Sequence, residues 1–290
     1  MSECDIVHDM PTSTGALVLG GGGVTGIAWE TGVLAGLAEA GIDLTTADLI
    51  IGTSAGSVVG AQISSGTPLA ELYAVQLRET SGEIRARLGV MNMLRFIVAS
   101  AWPGSDQAAR ARIGRMAVAA HTGTEAERRE VFRKRIGQPP WPARRLLITA
   151  VDAQTGESRV FDRDSGVPLI DAVAASCAVP LVWPPVTIDG RRYVDGGVRS
   201  VVNADLATGC ERVVVLAPVT RALRRSSRLS IQLSALGPRA RSVVISPDEP
   251  SRKAIGRNVL DPAHRASSAR AGRAQGSAVA NDVAEVWVRG

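Results

Sequence analysis

The sequence predicts an α/β fold built on an open, mainly parallel sheet, and two stretches near the N-terminus carry that prediction. In each, a short apolar run stops at glycine and a helical pattern follows. Residues 16–19 run into Gly20-Gly21-Gly22-Gly23-Val24-Thr25-Gly26, and residues 49–51 run into Gly52-Thr53-Ser54-Ala55-Gly56. Apolar runs bounded by glycine read as buried strands, and strand–loop–helix repeats build parallel sheets. Both loops then fall at the C-terminal ends of neighbouring strands, where an open α/β sheet has its crevice.

The elements follow in order. Residues 1–14 read as a loose leader, and residues 15–290 as one domain. The first helix carries Val33, Leu34, Leu37 and Ala38 and ends at Gly41; the second carries Val58, Val59 and Ile63. From about 68 to 137 the pattern is helical with no clear strand: 68–78 is amphipathic, 91–101 is apolar on most sides, and 125–136 is a charged surface helix. Residues 91–98 suit a mobile cap or an interfacial helix, but burial is the preferred reading. Residues 146–151 and 159–161 read as paired strands around a turn, and 168–176 as a helix. A hairpin then joins 186–188 to 192–194 through Asp189-Gly190 and delivers Asp195-Gly196-Gly197. Residues 213–216 and 243–245 are two more core strands. The arginine-rich stretch 221–228 between them reads as solvated, and residues 262–288 as helical.

Composition narrows the partners. The chain has 290 residues, 45% of them apolar, which is enough for a sizeable core. Its net charge of +5 comes almost wholly from arginine, since only Lys134 and Lys253 are lysines. That charge suits anionic surfaces such as phospholipid headgroups. The basic residues are scattered and aromatics make up only 3%, which argues against nucleic acid as a partner. Cys4, Cys177 and Cys210 have neither zinc spacing nor a disulfide framework, and the acidic, polar start lacks the pattern of a secretory signal. The expectation is a cytoplasmic protein that docks peripherally on anionic membrane surfaces.

The chemistry is that of acyl transfer. Ser54 sits at the apex of a strand–turn–helix elbow, where it is either a nucleophile or a plain helix cap. Glycines 21–23 let bare backbone amides approach an oxyanion. Asp195, followed by two glycines, is the candidate base. An ordinary aspartate is a poor base for a hydroxyl, so burial must raise its pKa, and the helix dipole at Ser54 must favour the developing alkoxide.

Two rivals weaken on inspection. A Ser54, Asp195, His264 triad has the right chain order, but only one strand precedes Ser54, and His264 adjoins an alanine-rich helix; His8 and His121 have no motif around them. A dinucleotide-binding oxidoreductase would use Gly21-x-Gly23-x-x-Gly26, but the acid it needs at the end of the second strand is absent, with Asp48 standing at the beginning instead.

Taken in order, Gly21–Gly26, Gly52–Gly56 and Asp195-Gly196-Gly197 resemble the motifs of the patatin-like phospholipases. Ser176-Cys177-Ala178-Val179-Pro180 and Trp183-Pro184-Pro185 resemble that family's approach to its aspartate. The likeness covers residues 16–218, with a further one at Leu260-Asp261-Pro262. It implies a three-layer α/β/α fold with a helical cap-like insertion, and a Ser54–Asp195 dyad without histidine. It also implies an oxyanion hole at Gly21, Gly22, Gly23 and Val24, with Gly26, Gly52, Gly56, Gly196 and Gly197 shaping the turns. The implied activity is hydrolysis of lipid acyl esters, of phospholipase A or lipid esterase type, without metal or cofactor. A catalytically weak or idle lipid-binding member is the alternative. Many members carry a basic residue where this chain has Thr25, so that cation is absent here or comes from another residue.

Overall fold

The fold is taken from a computed structural model of the chain, which describes residues 14–78, 90–222 and 224–288. The expected leader lies outside the described residues up to position 13. Thr14 is buried, and its carbonyl accepts from the amides of Glu211 and Arg212.

Chain order is β1 (Gly15–Leu19), α1 (Gly23–Glu39), β2 (Leu49–Gly52), α2 (Ala55–Ser64), α3 (Leu69–Leu77), α4 (Val90–Ala101), α5 (Asp106–Ala119) and α6 (Glu125–Ile136). There follow β3 (Arg145–Asp152), β4 (Ser158–Phe161), α7 (Leu169–Ser176), β5 (Val186–Ile188), β6 (Arg191–Asp195) and β7 (Arg212–Leu216). The chain ends with α8 (Leu229–Ser234), β8 (Arg241–Ile245), α9 (Glu249–Ile255), α10 (Arg265–Ala278) and α11 (Ala280–Trp287).

Pairing runs β5-β6-β3-β2-β1-β7-β8, with β4 also on β3. β3, β2, β1, β7 and β8 are mutually parallel; β4, β5 and β6 are antiparallel additions. Side chains along the parallel strands alternate between two apolar layers, as the period of two requires. Leu17, Leu19, Ile50, Ile148 and Val214 enter the layer covered by α1, α2, α7 and α11. Ala16, Val18, Ile51, Leu147 and Val215 enter the opposite layer, covered by residues 202–210 and α8. Strands buried on both faces read as unbroken apolar runs, which is why the sequence shows them. The result is a three-layer α/β/α arrangement.

Register places the aspartate. Ile148 pairs with both Gly52 and Phe161, so β2 and β4 lie on opposite edges of β3; Ala150 pairs with both Arg159 and Asp195, so β6 lies on the β2 edge. Thus β6 continues the line of β2 beyond its end, running back toward it, and its last residue arrives at the elbow.

Two expectations change. Met91, Leu94, Ile97 and Val98 are exposed rather than buried, because α4 covers only the side carrying Ala99 and Ser100 and packs on α5. The arginine-rich stretch is not simply solvated: Arg224 donates to Asp106 and to the carbonyls of Ser100 and Gly104, pinning this loop to the helical segment.

The C-terminal helices close the first layer. α1 and α10 touch backbone to backbone: a Cβ at Gly32 or Gly36 would lie 2.2 or 2.1 Å from the Ala269 or Arg273 carbonyl, and one at Gly272 or Gly276 would lie 2.3 Å from the Trp29 or Val33 carbonyl. Only glycine permits that approach.

Candidate active site

Ser54 is held in a conformation that side-chain-bearing residues avoid, with φ 51° and ψ −112°. The surroundings enforce it. A Cβ at Gly56 would lie 2.1 Å from the Leu19 carbonyl and one at Gly52 would lie 2.6 Å from the Ser57 Cα, so the turn closes only with glycine at both places. The Ser54 amide donates to Ser176 Oγ at 2.9 Å, and its carbonyl accepts from the Ser57 hydroxyl at 2.6 Å and the Cys177 thiol at 3.2 Å. Behind the elbow, the Asn203 amide donates to the Thr53 hydroxyl at 2.9 Å, which meets Thr149 Oγ1 at 2.9 Å. Every bond available to the Ser54 backbone is spent on holding it, which leaves the side chain for other work.

That side chain meets Asp195. Ser54 and Asp195 line the same cavity, and Asp195 Oδ1 accepts the Gly197 amide at 2.7 Å. Burial pushes the Asp195 pKa up to about 6, against the opposing pull of the Ser54 hydroxyl, the Gly197 amide and the Arg128 charge. A Cβ at Gly196 would strike Thr149 Oγ1 at 2.2 Å, so glycine there lets the turn press against β3. Cys177, also adjacent, is a neutral thiol: burial lifts its pKa to about 12.

The glycine loop lies across the same crevice. The Gly21 amide donates to the Val201 carbonyl at 2.7 Å and is therefore occupied, whereas Gly20 and Thr25 donate to Leu216 and Val259. Among the described residues the amides of Gly22, Gly23, Val24 and Ala55 meet no acceptor, as expected of helix starts without a capping side chain. The Gly26 amide donates to Gly22 at 2.8 Å, closing the first turn of α1. Thr25 is buried, and its hydroxyl donates to the Val259 carbonyl at 3.2 Å. It holds the loop ahead of α10 against the start of α1 and brings no charge.

Two cavities open on Ser54. One, of about 430 Å³, is lined by Gly21, Gly22, Gly23, Asp195 and Gly197 together with Phe96, Pro180, Val198 and Val201. The other, of about 330 Å³, lies toward α6 and Trp183. His264 lines neither; its Nδ1 meets the Ala254 carbonyl at 3.0 Å. Asp48 is likewise elsewhere, since its carboxylate accepts the Gly15 amide at the opposite end of the strands. Among the described residues, no three or more His, Cys, Asp or Glu side chains are grouped to hold a metal ion.

Sequence reasoning missed Ser176 and Asn203 as supports of the elbow. It also missed Arg128, taken as part of a charged surface helix; in the fold its neighbour Phe132 is fully buried and Arg128 turns inward over Trp183. The one available signal is the four-residue spacing of Arg128 and Phe132, which puts them on one helix face.

Comparison with known proteins gives the following. VipD from Legionella pneumophila is similar at 13% identity with a TM-score of 0.47, over 94% of this chain and 67% of that one. The type III effector protein ExoU is similar at 17% identity and 0.40, over 94% of this chain and 54% of that one. The chain thus spans only part of each. A family model described as patatin-like phospholipase matches residues 17–208, a span that runs from within β1 through β6 and takes in the glycine loop, the serine elbow and Asp195. On that match, which takes in well over half of its length, the chain belongs to the patatin-like phospholipase family.

Proposed function

We propose that the protein is a serine acyl hydrolase that cleaves carboxylic ester bonds of lipids, with Ser54 as nucleophile and Asp195 as its base. The observation that carries this reading is that a serine held in a strained conformation and a buried carboxylate meet at the wall of one apolar chamber. The acyl chain lies in that chamber and presents its carbonyl to Ser54. As Oγ attacks, its proton passes to Asp195, and the carbonyl oxygen takes the negative charge beside the amides of Gly22 and Gly23. Collapse breaks the ester C–O bond; the leaving alkoxide takes the proton from Asp195, and the acyl group stays on Ser54. Water then attacks the acyl-enzyme with Asp195 again as base, releasing the fatty acid and restoring the serine. A carboxylate whose pKa is about 6 is a better base than an ordinary aspartate and is still ionised at neutral pH.

A fluorophosphonate probe tests the reading. It labels Ser54 in the folded protein, with a rate that rises as pH passes through about 6 and levels above it, because the deprotonated carboxylate is the active form. No adduct on Ser54, or a rate independent of pH across that interval, overturns the assignment.

Contact with a lipid surface belongs to the same proposal. No described helix is long and apolar enough to cross a membrane. α4 instead exposes Met91, Leu94, Ile97 and Val98, with Trp102 just beyond it and Arg95 among them, while Phe96 lines the chamber at Ser54. A lipid surface met by this face lies next to the chamber mouth. Leu94→Asp and Trp102→Asp should each cut co-flotation with anionic vesicles by about 10-fold, because each buries a charge at the interface. Flotation unaffected by both removes α4 from the contact.

A further inference from the structure

The apolar chamber, with Arg257 the one basic side chain among its described lining residues, accounts for one arm of a lipid, and the cavity on the other side of Ser54 is more basic. Arg128, Lys134 and Arg135 line it, and among its described lining residues none is acidic. Gly23, Val24 and Ala55 form part of its wall, so α1 and α2 both begin there and add the partial positive charge of their first turns.

Arg128 is built into this recess. Its guanidinium lies 3.9 Å over the Trp183 ring and 4.8 Å from that of Phe132, and its Nε is buried without a hydrogen-bond partner. α6 is itself fixed by a capping box, in which the Glu127 amide donates to Thr124 Oγ1 and the Thr124 amide to Glu127 Oε2. A guanidinium held by stacking loses little further freedom on binding, and its planar fork matches a phosphate. Among the described residues no carboxylate lines the recess to neutralise it; Asp195, which acts on the Arg128 charge, lines the other cavity at Ser54.

We propose that this recess is the headgroup subsite, in which Arg128 grips a phosphate of the substrate while the acyl chain fills the apolar chamber. The proposal rests on the ester-hydrolase reading and makes Arg128 the residue that selects acylated glycerol phosphates over neutral glycerides. It also supplies from α6 the cation that Thr25 does not bring to the glycine loop.

The test compares two lipids with the same acyl chain, a monoacylglycerol phosphate and a monoacylglycerol, in mixed micelles. Wild type favours the phosphate in kcat/KM. Arg128→Met reduces that preference by about 10–100-fold, mainly through KM, the loss expected for a charge-assisted bond. Arg128→Lys recovers part of it, and Lys134→Glu, at an exposed position that tolerates change, reduces it as well. Binding is read separately by calorimetry on Ser54→Ala protein: glycerol 3-phosphate binds, glycerol does not, and adding Arg128→Met removes the binding.

An equal fall on both lipids with a raised pH inflection marks Arg128 as acting on Asp195 alone and overturns the subsite. So does an unchanged preference, or no binding of glycerol 3-phosphate. Inorganic phosphate that binds more tightly than glycerol 3-phosphate and leaves micellar hydrolysis uninhibited assigns the recess to free phosphate and overturns the headgroup claim. If wild type cleaves neither lipid, the hydrolase reading fails, and calorimetry still decides the recess.

Discussion

Ser54→Ala should lower ester turnover by about 10³–10⁵-fold, and Asp195→Asn by about 10³-fold or more, since a nucleophile and its base fail together. A panel of nitrophenyl and lipid esters measures both, with His264→Ala as the comparison. The histidine variant should keep most of its turnover, because His264 lines neither cavity at Ser54; its loss would revive a triad. The asparagine variant carries a second signature. The folded pKa of Asp195, about 6, stands above its usual value of 3.8, so the stability this group lends is present below the lower value and lost as pH rises through the upper one. Above about pH 6 the buried charge costs on the order of 3 kcal/mol. Asparagine removes that cost while still accepting the Gly197 amide, so Asp195→Asn should melt higher than wild type at pH 8, by about 5 °C. An inactive variant that is also more stable is the expected mark of a carboxylate kept for chemistry at the expense of the fold.

Gly23→Ala should be the most damaging change outside the dyad. Gly23 has φ +61°, and a Cβ there would lie 2.5 Å from the Val259 carbonyl and 2.9 Å from Leu260 Cδ2. The first turn of α1 must move, and with it the amides of Gly22, Gly23 and Val24. The expected result is a fall in kcat of about 10²–10³-fold, the scale of a lost oxyanion donor. Thermal unfolding should report a loss of about 2 kcal/mol as well. Gly190→Ala separates strain from chemistry: φ is +75° there, but nothing lies within 4 Å, so it costs stability and leaves kcat within about 2-fold. Equal kcat losses in the two variants would remove the loop amides from the mechanism.

What the sequence reveals about this fold is whatever a short stretch decides for itself. β1, β2, β3 and β7 show as apolar runs because they are covered on both faces, and the Asp189-Gly190 turn announces its hairpin. The glycine loop and the serine elbow are local geometry too, so their residues carry the whole signal. Asp195 was legible as the candidate base for Ser54, but what brings the two together was not: that depends on the register that sets β6 end to end with β2 along β3. Arg128 was hidden because Glu125–Ile136 has no apolar stripe; its inward face is made of an arginine and a phenylalanine, and the arginine reads as solvated until Trp183 is seen beneath it. α4 failed in the other direction, since apolar residues on most sides of a helix do not say which side is covered.

The glycine contact between α1 and α10 fixes more than two helices. Residues 258–260 come just before α10, and the Val259 carbonyl rests on Thr25 and against Gly23. Rooted to α1 along Gly272 and Gly276, α10 therefore acts as the anchor of a brace whose free end spaces the amide cradle. The smallest autonomous folded unit accordingly extends past the residue at which the family match stops: a chain trimmed at position 208 would lose β7 and β8 from the sheet and, with α10, the strut that spaces the amides of Gly22 and Gly23.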